Sequence, residues 1–178
     1  SRLIRGSGMG QQIELKASDG FSLGGYRADA DKPKGGLVVI QEIFGVNRHM
    51  RHVCDMFAEK GYTAIAPAIF DRAQRNVELG YDKAAADEGV KLRAAIKLED
   101  TLKDVQAAID ALQSVGKVGI IGYCWGGSLA FLAAARLSGL ACAVGYYGGM
   151  IAAHAGEKPK VPTILHFGEQ DHGIPMAD

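Results

Sequence analysis

Several features are scarce in this chain, and each scarcity excludes a class of protein. The 178 residues include three cysteines, Cys54, Cys124 and Cys142, too few for the disulfide framework of a small secreted domain. Their spacing matches no zinc-ligand motif, and Cys54 and Cys142 are expected to be small core residues. The chain has no apolar run long enough to span a membrane and no signal-peptide pattern. We therefore expect a cytoplasmic enzyme without membrane partners.

The chain also has no excess of either charge. Lysine plus arginine and aspartate plus glutamate number 20 each, so composition predicts no nucleic-acid partner and no anionic membrane surface. Hydrophobic residues make up 48% of the chain, enough for a substantial core. The length fits one domain, which we expect over residues 11–178. Residues 1–10, rich in Gly, Ser and Arg, are interpreted as a vector-derived remnant.

Short apolar runs alternate with amphipathic segments along this domain. The pattern predicts an entry hairpin at residues 13–16 and 21–26, followed by strands at 37–40, 62–66, 117–122, 141–146 and 162–167. Helices are predicted at 47–60, 81–95, 98–114 and 126–137, with an irregular polar stretch at 70–80. Strands that alternate with helices indicate parallel βαβ units in an open, doubly wound α/β sheet.

The sequence GYCWGG at residues 122–127 lies between a predicted strand and an Ala-rich predicted helix. It matches the G-x-nucleophile-x-G elbow of α/β-hydrolases, with Cys124 where serine is usual. A helix amino terminus lowers the pKa of a neighbouring thiol, and the N–H of Trp125 is a natural oxyanion donor. The alternative is a structural cysteine on a glycine-rich turn. The chain lacks G-x-G-x-x-G and G-K-[ST], so no dinucleotide or P-loop site is predicted.

Two carboxylates are predicted near this elbow. Glu42 follows the strand at 37–40 and should lie at the same sheet edge as Cys124, where it can accept the thiol proton or hydrogen-bond the neutral thiol. The alternative for Glu42 is a helix-capping acid. Asp171 follows the last predicted strand within G-x-x-D-x-x-x-P, where an α/β-hydrolase carries its triad acid, after the nucleophile in chain order.

Together, QEIFG at residues 41–45, GYCWGG at 122–127 and GEQD at 168–171 closely resemble the dienelactone hydrolase (carboxymethylenebutenolidase) family. The resemblance extends over nearly all of residues 12–178. It implies a three-layer α/β-hydrolase fold with a central, mostly parallel sheet. It also implies hydrolysis of an enol-lactone, such as a dienelactone, in bacterial degradation of chlorinated aromatics. No metal or organic cofactor is implied.

The resemblance assigns catalytic roles to residues of this chain. Cys124 is implied as the nucleophile, Asp171 as the acid that orients the triad histidine, and Glu42 as the glutamate that contacts the thiol at rest. The N–H groups of Ile43 and Trp125 would form the oxyanion hole. These roles describe an enzyme that passes through a thioacyl intermediate.

The resemblance also implies a substrate that bears a carboxylate. Arg72 falls where the family has an arginine that binds this group, and Arg75 is a competing choice. A bidentate guanidinium suits a carboxylate. A solvated loop arginine is the alternative reading of Arg72. Tyr146 and Tyr147 would edge the pocket.

The triad histidine is the point at which the chain departs from the family pattern. The family places it roughly thirty residues after the acid, whereas this chain ends at Asp178. None of the five histidines is expected to replace it, and His166 is expected to be a half-buried strand residue. We therefore expect a form truncated at its carboxyl end, without the final strand and helix, and with weak or absent hydrolysis. The exposed sheet edge would favour self-association.

Two other functions remain open on the same scaffold. One is a broader carboxylesterase or thioesterase, which would differ from a lactone hydrolase in the shape of its pocket. The other is a non-catalytic binding protein that keeps the pocket without turnover. The absent histidine favours the second of these, whereas the complete elbow and Glu42 argue against it.

Overall fold

A single mixed sheet organises the computed structural model, which describes residues 10–146, 154 and 156–166. Within these residues the sheet has seven strands in the order β1-β2-β4-β3-β5-β6-β7. The strands are β1 (Gln11–Lys16), β2 (Ser22–Ala28), β3 (Gly35–Ile40), β4 (Tyr62–Pro67), β5 (Val118–Tyr123), β6 (Cys142–Tyr146) and β7 (Thr163–His166). The helices are α1 (Arg48–Glu59), α2 (Lys83–Ala94), α3 (Leu98–Leu112) and α4 (Trp125–Arg136).

The strand pairing confirms the predicted α/β architecture. β1 and β2 form the antiparallel entry hairpin, and β2 joins β4 in antiparallel pairing. From β4 across β3, β5 and β6 to β7, every pairing is parallel. Element ends differ from the sequence prediction by a few residues. Helix α2, for example, begins at Lys83 because the Asp82 side chain caps it by accepting from the N–H of Ala85 at 2.8 Å.

Helices cover both faces of the sheet, which makes the domain three-layered. On one face, Met50 and Cys54 of α1 pack against Val39 and Ala64. On the other face, α3 and α4 bury a larger cluster, whose members include Val105, Ile109, Leu129, Val38 and Ile120. Alternate residues of β3 thus face opposite helix layers, as strand geometry requires. Such a strand is apolar along its whole length, which explains the continuous run in the sequence.

The two cysteines outside the elbow differ in their surroundings. Cys54 is fully buried, as expected, and burial raises the pKa of its thiol to about 12. The same expectation is wrong for Cys142, which is exposed. Cys142 is the first residue of β6, and the residues buried in this strand are the alternate ones that begin with Ala143. An apolar neighbourhood in the sequence therefore did not determine on which face Cys142 lies.

The carboxyl ends of three adjacent parallel strands position the candidate site. Ile40 of β3 lies beside Gly122 of β5, and Tyr123 lies beside Tyr146 of β6. The chain leaves these strands at one edge of the sheet, which is where ligands bind in open α/β folds. Among the described residues, no helix is long and apolar enough to cross a membrane.

Candidate active site

Cys124 occupies a strained backbone position between β5 and α4. Its φ of 54° and ψ of −124° place it in a region that L-residues rarely adopt. Among the described residues, Asn76 is the only other non-glycine residue with positive φ. Such a conformation costs about 1–3 kcal/mol and persists only where the surroundings impose it. The Cys124 N–H donates to the carbonyl of Tyr146 at 2.7 Å, and the Cys124 side chain is exposed.

The three glycines of GYCWGG leave room for backbone contacts that side chains would block. A Cβ at Gly122 would collide with the carbonyl of Gly126, and a Cβ at Gly127 would collide with that of Tyr146. At Gly126 it would come within 2.8 Å of the carbonyl oxygens of Ile40 and Gln41. The elbow therefore packs directly against the ends of β3 and β6. The glycine pattern quoted from the sequence has a steric cause at each position.

Helix α4 begins directly after the thiol. Cys124 is its N-cap residue, and in the described part of the chain no side-chain hydrogen bond caps this end of the helix. The N–H groups of Gly127 and Ser128 donate to the Cys124 carbonyl at 2.9 and 3.2 Å. The N–H of Trp125, in the first turn, has no intrahelical acceptor by helix geometry. A partial positive charge at this end favours an anionic sulfur or oxygen beside it.

Glu42 lies at the same sheet edge as Cys124, as the sequence predicts. Ile40 at the end of β3 pairs with Gly122 of β5. Glu42 comes two residues after Ile40, and Cys124 comes two residues after Gly122, so both leave the sheet at the same level. The side chain is partly buried, and this desolvation raises the pKa of Glu42, while the charge of His49 acts in the opposite direction. Glu42 does not cap α1, because Asn47 does so by accepting from the N–H of Met50.

Aromatic side chains at the sheet edge form a stack that sequence reasoning recognised only in part. Tyr146, predicted at the pocket edge, stacks on Tyr123 with ring centroids 4.8 Å apart. On its other side Tyr146 stacks on His166 at 4.6 Å. Burial raises the pKa of Tyr123, and the nearby charges of Tyr146 and Glu42 add to this effect. His166 is exposed, contrary to the half-buried position expected from the sequence.

Trp125 has a buried aromatic partner, Phe70, that the sequence analysis did not single out. The two rings stack with centroids 5.4 Å apart and planes inclined by 22°. Phe70 belongs to a short 3₁₀ turn, Ile69–Arg72, which follows β4. This turn lies at the start of the irregular stretch predicted at residues 70–80. The position of Phe70 just after a strand was the signal that the sequence offered. Trp125 is also the single tryptophan of the chain.

Arg72 is held by carboxylates of the protein itself. Its Nε and Nη2 donate to Asp104 at 2.9 and 2.8 Å, and its Nη1 and Nη2 donate to Asp19 at 2.9 and 3.1 Å. These bonds hold the pKa of Asp19 at about 2 and raise that of Arg72. The competing Arg75 donates to the Ser22 carbonyl at 2.8 Å and pairs with Asp71 at 3.5 Å. The contacts of Arg72 are thus with carboxylates of the chain itself, and its role toward a substrate carboxylate stays a prediction.

Two of the predicted site residues, Asp171 and Tyr147, lie outside the described residues. Their roles stay predictions. In the described part of the chain, no group of three or more His, Cys, Asp or Glu side chains is arranged to hold a metal ion.

A cavity of about 420 Å³ lies beside the site without including the thiol. Gln41, Phe70 and two glycines of β2, Gly24 and Gly25, are among the residues that line it. The Gln41 Nε2 donates to the Glu42 carbonyl at 3.1 Å, while its Oε1 is buried and has no hydrogen-bond partner among the described residues. The geometry around Cys124 and Glu42, and not this cavity, therefore identifies the candidate active site. An exposed thiol, the amino terminus of a helix and a partly buried carboxyl group lie at one edge of the sheet there, and attack on a carbonyl uses groups of these kinds.

Comparisons with known proteins agree on one family and one fold. A family model described as "Dienelactone hydrolase family" matches residues 23–178. A carboxymethylenebutenolidase of Pseudomonas putida is 36% identical over 171 residues, which cover 92% of this chain and 72% of that protein. A Synechocystis protein, named as a candidate carboxymethylenebutenolidase, is 38% identical over 80% of this chain and 63% of its own length. A Klebsiella pneumoniae structure, titled as a candidate dienelactone hydrolase, superposes with a TM-score of 0.76 at 26% identity, over 95% of this chain and 76% of that one.

Proposed function

Because the chain belongs to the dienelactone hydrolase family, we propose that it cleaves an enol-lactone or small ester by nucleophilic attack of Cys124. Membership supports a hydrolase of the lactone or ester type with a small-molecule substrate. The observation that carries the cysteine mechanism is the backbone of Cys124, strained at φ 54° and exposed at the start of α4. Strain of this kind is concentrated at functional sites, since it has to be maintained by the surrounding structure.

The first step requires a thiolate. Glu42 is the proposed acceptor of the thiol proton, because it lies at the same sheet edge and burial raises the pKa of its carboxyl group. A carboxylate with a raised pKa is a stronger base than an exposed one. The difference in pKa between the Glu42 carboxyl group and the Cys124 thiol is therefore smaller. The amino terminus of α4 stabilises the sulfur anion that results.

The second step is acyl transfer to sulfur. The Cys124 Sγ forms a bond to the carbonyl carbon, and the electron pair of the C=O bond moves to the oxygen. The N–H of Trp125 and that of Ile43 are the proposed donors to this oxyanion. When the carbonyl re-forms, the C–O bond of the lactone or ester breaks. The leaving oxygen takes a proton from Glu42, and a thioester to Cys124 remains.

The third step is hydrolysis of the thioester by an activated water. The proposed family triad supplies a histidine base oriented by Asp171. The described histidines have other surroundings in this chain: His49 and His52 belong to α1, His154 pairs with Glu157 at 2.8 Å, and His166 stacks on Tyr146. We therefore propose that this 178-residue chain acylates faster than it deacylates. A thioester intermediate should then accumulate.

Intact-mass measurement after incubation with p-nitrophenyl acetate tests the proposal. We expect one acetyl group per chain, together with a burst of p-nitrophenolate followed by slow turnover. Cys124→Ala should abolish both signals. Cys142→Ala, at the other exposed cysteine, is the matched control and should retain them. Repeating the experiment with a dienelactone would separate a lactone hydrolase from a broader carboxylesterase or thioesterase.

Absence of an adduct in the unmodified chain, with binding of the lactone intact, would contradict the nucleophilic role. It would favour a binding protein on the same scaffold. An adduct on Cys142 alone would contradict the assignment of Cys124.

A further inference from the structure

Arg72 joins three separate parts of the chain. It ends the 3₁₀ turn after β4, it forms a bidentate ion pair with Asp104 of α3, and it binds Asp19 in the turn between β1 and β2. Its guanidinium carbon also lies 4.4 Å from the centroid of the Phe21 ring, a cation–π contact. Planar, bidentate recognition of this kind fixes the direction of the arginine side chain as well as its distance.

The inner half of this cluster is buried. The Asp104 side chain is 0% exposed and that of Arg72 is 12% exposed, while that of Asp19 is 30% exposed. Burial raises the pKa of Asp104, and the hydrogen bonds from Arg72 act in the opposite direction. Because a buried carboxylate without its partner is strongly unfavourable, Arg72 has little freedom to leave it. The 3₁₀ turn is therefore fixed at its Arg72 end.

The same turn touches the elbow. Phe70, two residues before Arg72, stacks on Trp125, the first residue of α4 and the proposed oxyanion donor. Asp71, between Phe70 and Arg72 in the sequence, fixes the turn a second time, because its carboxylate accepts a hydrogen bond from the N–H of Gly24 at 2.7 Å. A continuous set of contacts thus runs from Asp104 through Arg72 and Phe70 to Trp125.

We propose that Arg72 is a positioning residue, which through Phe70 fixes the place of Trp125 and its N–H beside the Cys124 thiol. Asp104 and Asp19 fix the position of the Arg72 guanidinium by accepting its hydrogen bonds. The proposal deepens the proposed function and rests on it.

The test compares two esters and one spectroscopic signal. Arg72→Met and Asp104→Asn are assayed for acylation of Cys124 by p-nitrophenyl acetate and by mono-p-nitrophenyl glutarate, which bears a carboxylate. The emission of Trp125 is recorded on the same samples. Arg136→Met is the matched control, because Arg136 forms a bidentate pair with Glu157 at the opposite end of α4.

We expect the acylation rate constant to fall roughly 10- to 100-fold, and equally for both esters, because a displacement of about 1 Å can cost that much in rate. The emission of Trp125 should shift to the red, with stronger quenching by acrylamide. Asp104→Asn should act in the same direction although Arg72 is retained, and Arg136→Met should change neither signal.

A loss confined to the carboxylate ester, with unchanged Trp125 emission, would overturn the proposal and make Arg72 a substrate ligand. Unchanged rates and unchanged emission would also overturn it. If Arg72→Met does not fold, Asp19→Asn is the milder variant, because it removes only the more exposed partner; it should give the same changes at smaller amplitude. If the unmodified chain is not acylated at all, the proposed function fails, while Trp125 emission still reports on the positioning contact.

Discussion

The Cα of Gly126 lies against the backbone carbonyl of Gln41, so that a Cβ at residue 126 would come within 2.8 Å of that oxygen. This contact joins the first turn of α4 to the residue that precedes Glu42. The thiol and the carboxyl group of the candidate site are therefore placed relative to each other by close backbone packing. Their side chains need not contact each other for this placement.

Gly126→Ala should destabilise the fold by about 1–3 kcal/mol, the usual cost of inserting a methyl group into tightly packed surroundings. It should also slow acylation of Cys124, because the elbow must shift away from β3. Urea denaturation and the acetylation burst measure the two effects. Gly80→Ala is the control, since a Cβ at Gly80 would have no described atom within 4 Å. Equal stability of the two variants would contradict the packing argument.

Cys124→Gly should be more stable than Cys124→Ala by about 1 kcal/mol, a reversal of the usual order of these residues. Both variants lack the sulfur, so their difference isolates the strain of φ 54°. Thermal and urea unfolding provide the measurement. The same pair of variants at Cys142, in a regular strand, should show alanine as the more stable.

Glu42→Gln should make the folded state more stable relative to that of the unmodified chain, and this difference should grow as the pH rises. Burial raises the pKa of Glu42 in the folded chain, so the folded state retains a proton that the unfolded state releases. The contribution of Glu42 is thus most favourable below its unfolded pKa and is lost as the pH rises through its folded pKa. Urea midpoints of both proteins across pH 4 to 8 should diverge with increasing pH. Parallel curves would argue that Glu42 is fully solvated.

Asp19→Asn should remove a part of the acid sensitivity. The bonds from Arg72 lower the pKa of Asp19 from 3.8 to about 2, so its contribution to stability is complete above about pH 4. That contribution is lost as the pH falls through about 2. The difference in urea midpoint between Asp19→Asn and the unmodified chain should therefore shrink as the pH falls from about 4 to about 2. Asp31→Asn, at an exposed acid in the loop after β2, is the control variant.

The sequence predicted the sheet, the helices and the elbow because each has a local cause. The apolar run of β3 reflects a strand covered on both faces, and the glycines at 122, 126 and 127 reflect backbone contacts that exclude a Cβ. The placement of Glu42 beside the elbow followed from the rule that parallel strands end at one edge. These inferences need only the pattern along the chain.

Other features depended on contacts between distant segments, which a single sequence does not reveal. The ion pairs of Arg72 are one case, because its partners Asp19 and Asp104 lie 53 and 32 residues away in the chain. The stacking of Phe70 on Trp125 is likewise long-range. Cys142 was misassigned because an apolar context does not specify which face of a strand a residue occupies.

The pairing of Ile40 with Gly122 joins positions roughly eighty residues apart, and it has a consequence for the order of folding. Closing so long a loop is entropically costly, so β5 should dock beside β3 late, after the local hairpin and helices have formed. Until then the elbow has no neighbours to impose its backbone conformation. The reactivity of the Cys124 thiol should therefore be acquired only in the final kinetic phase of refolding.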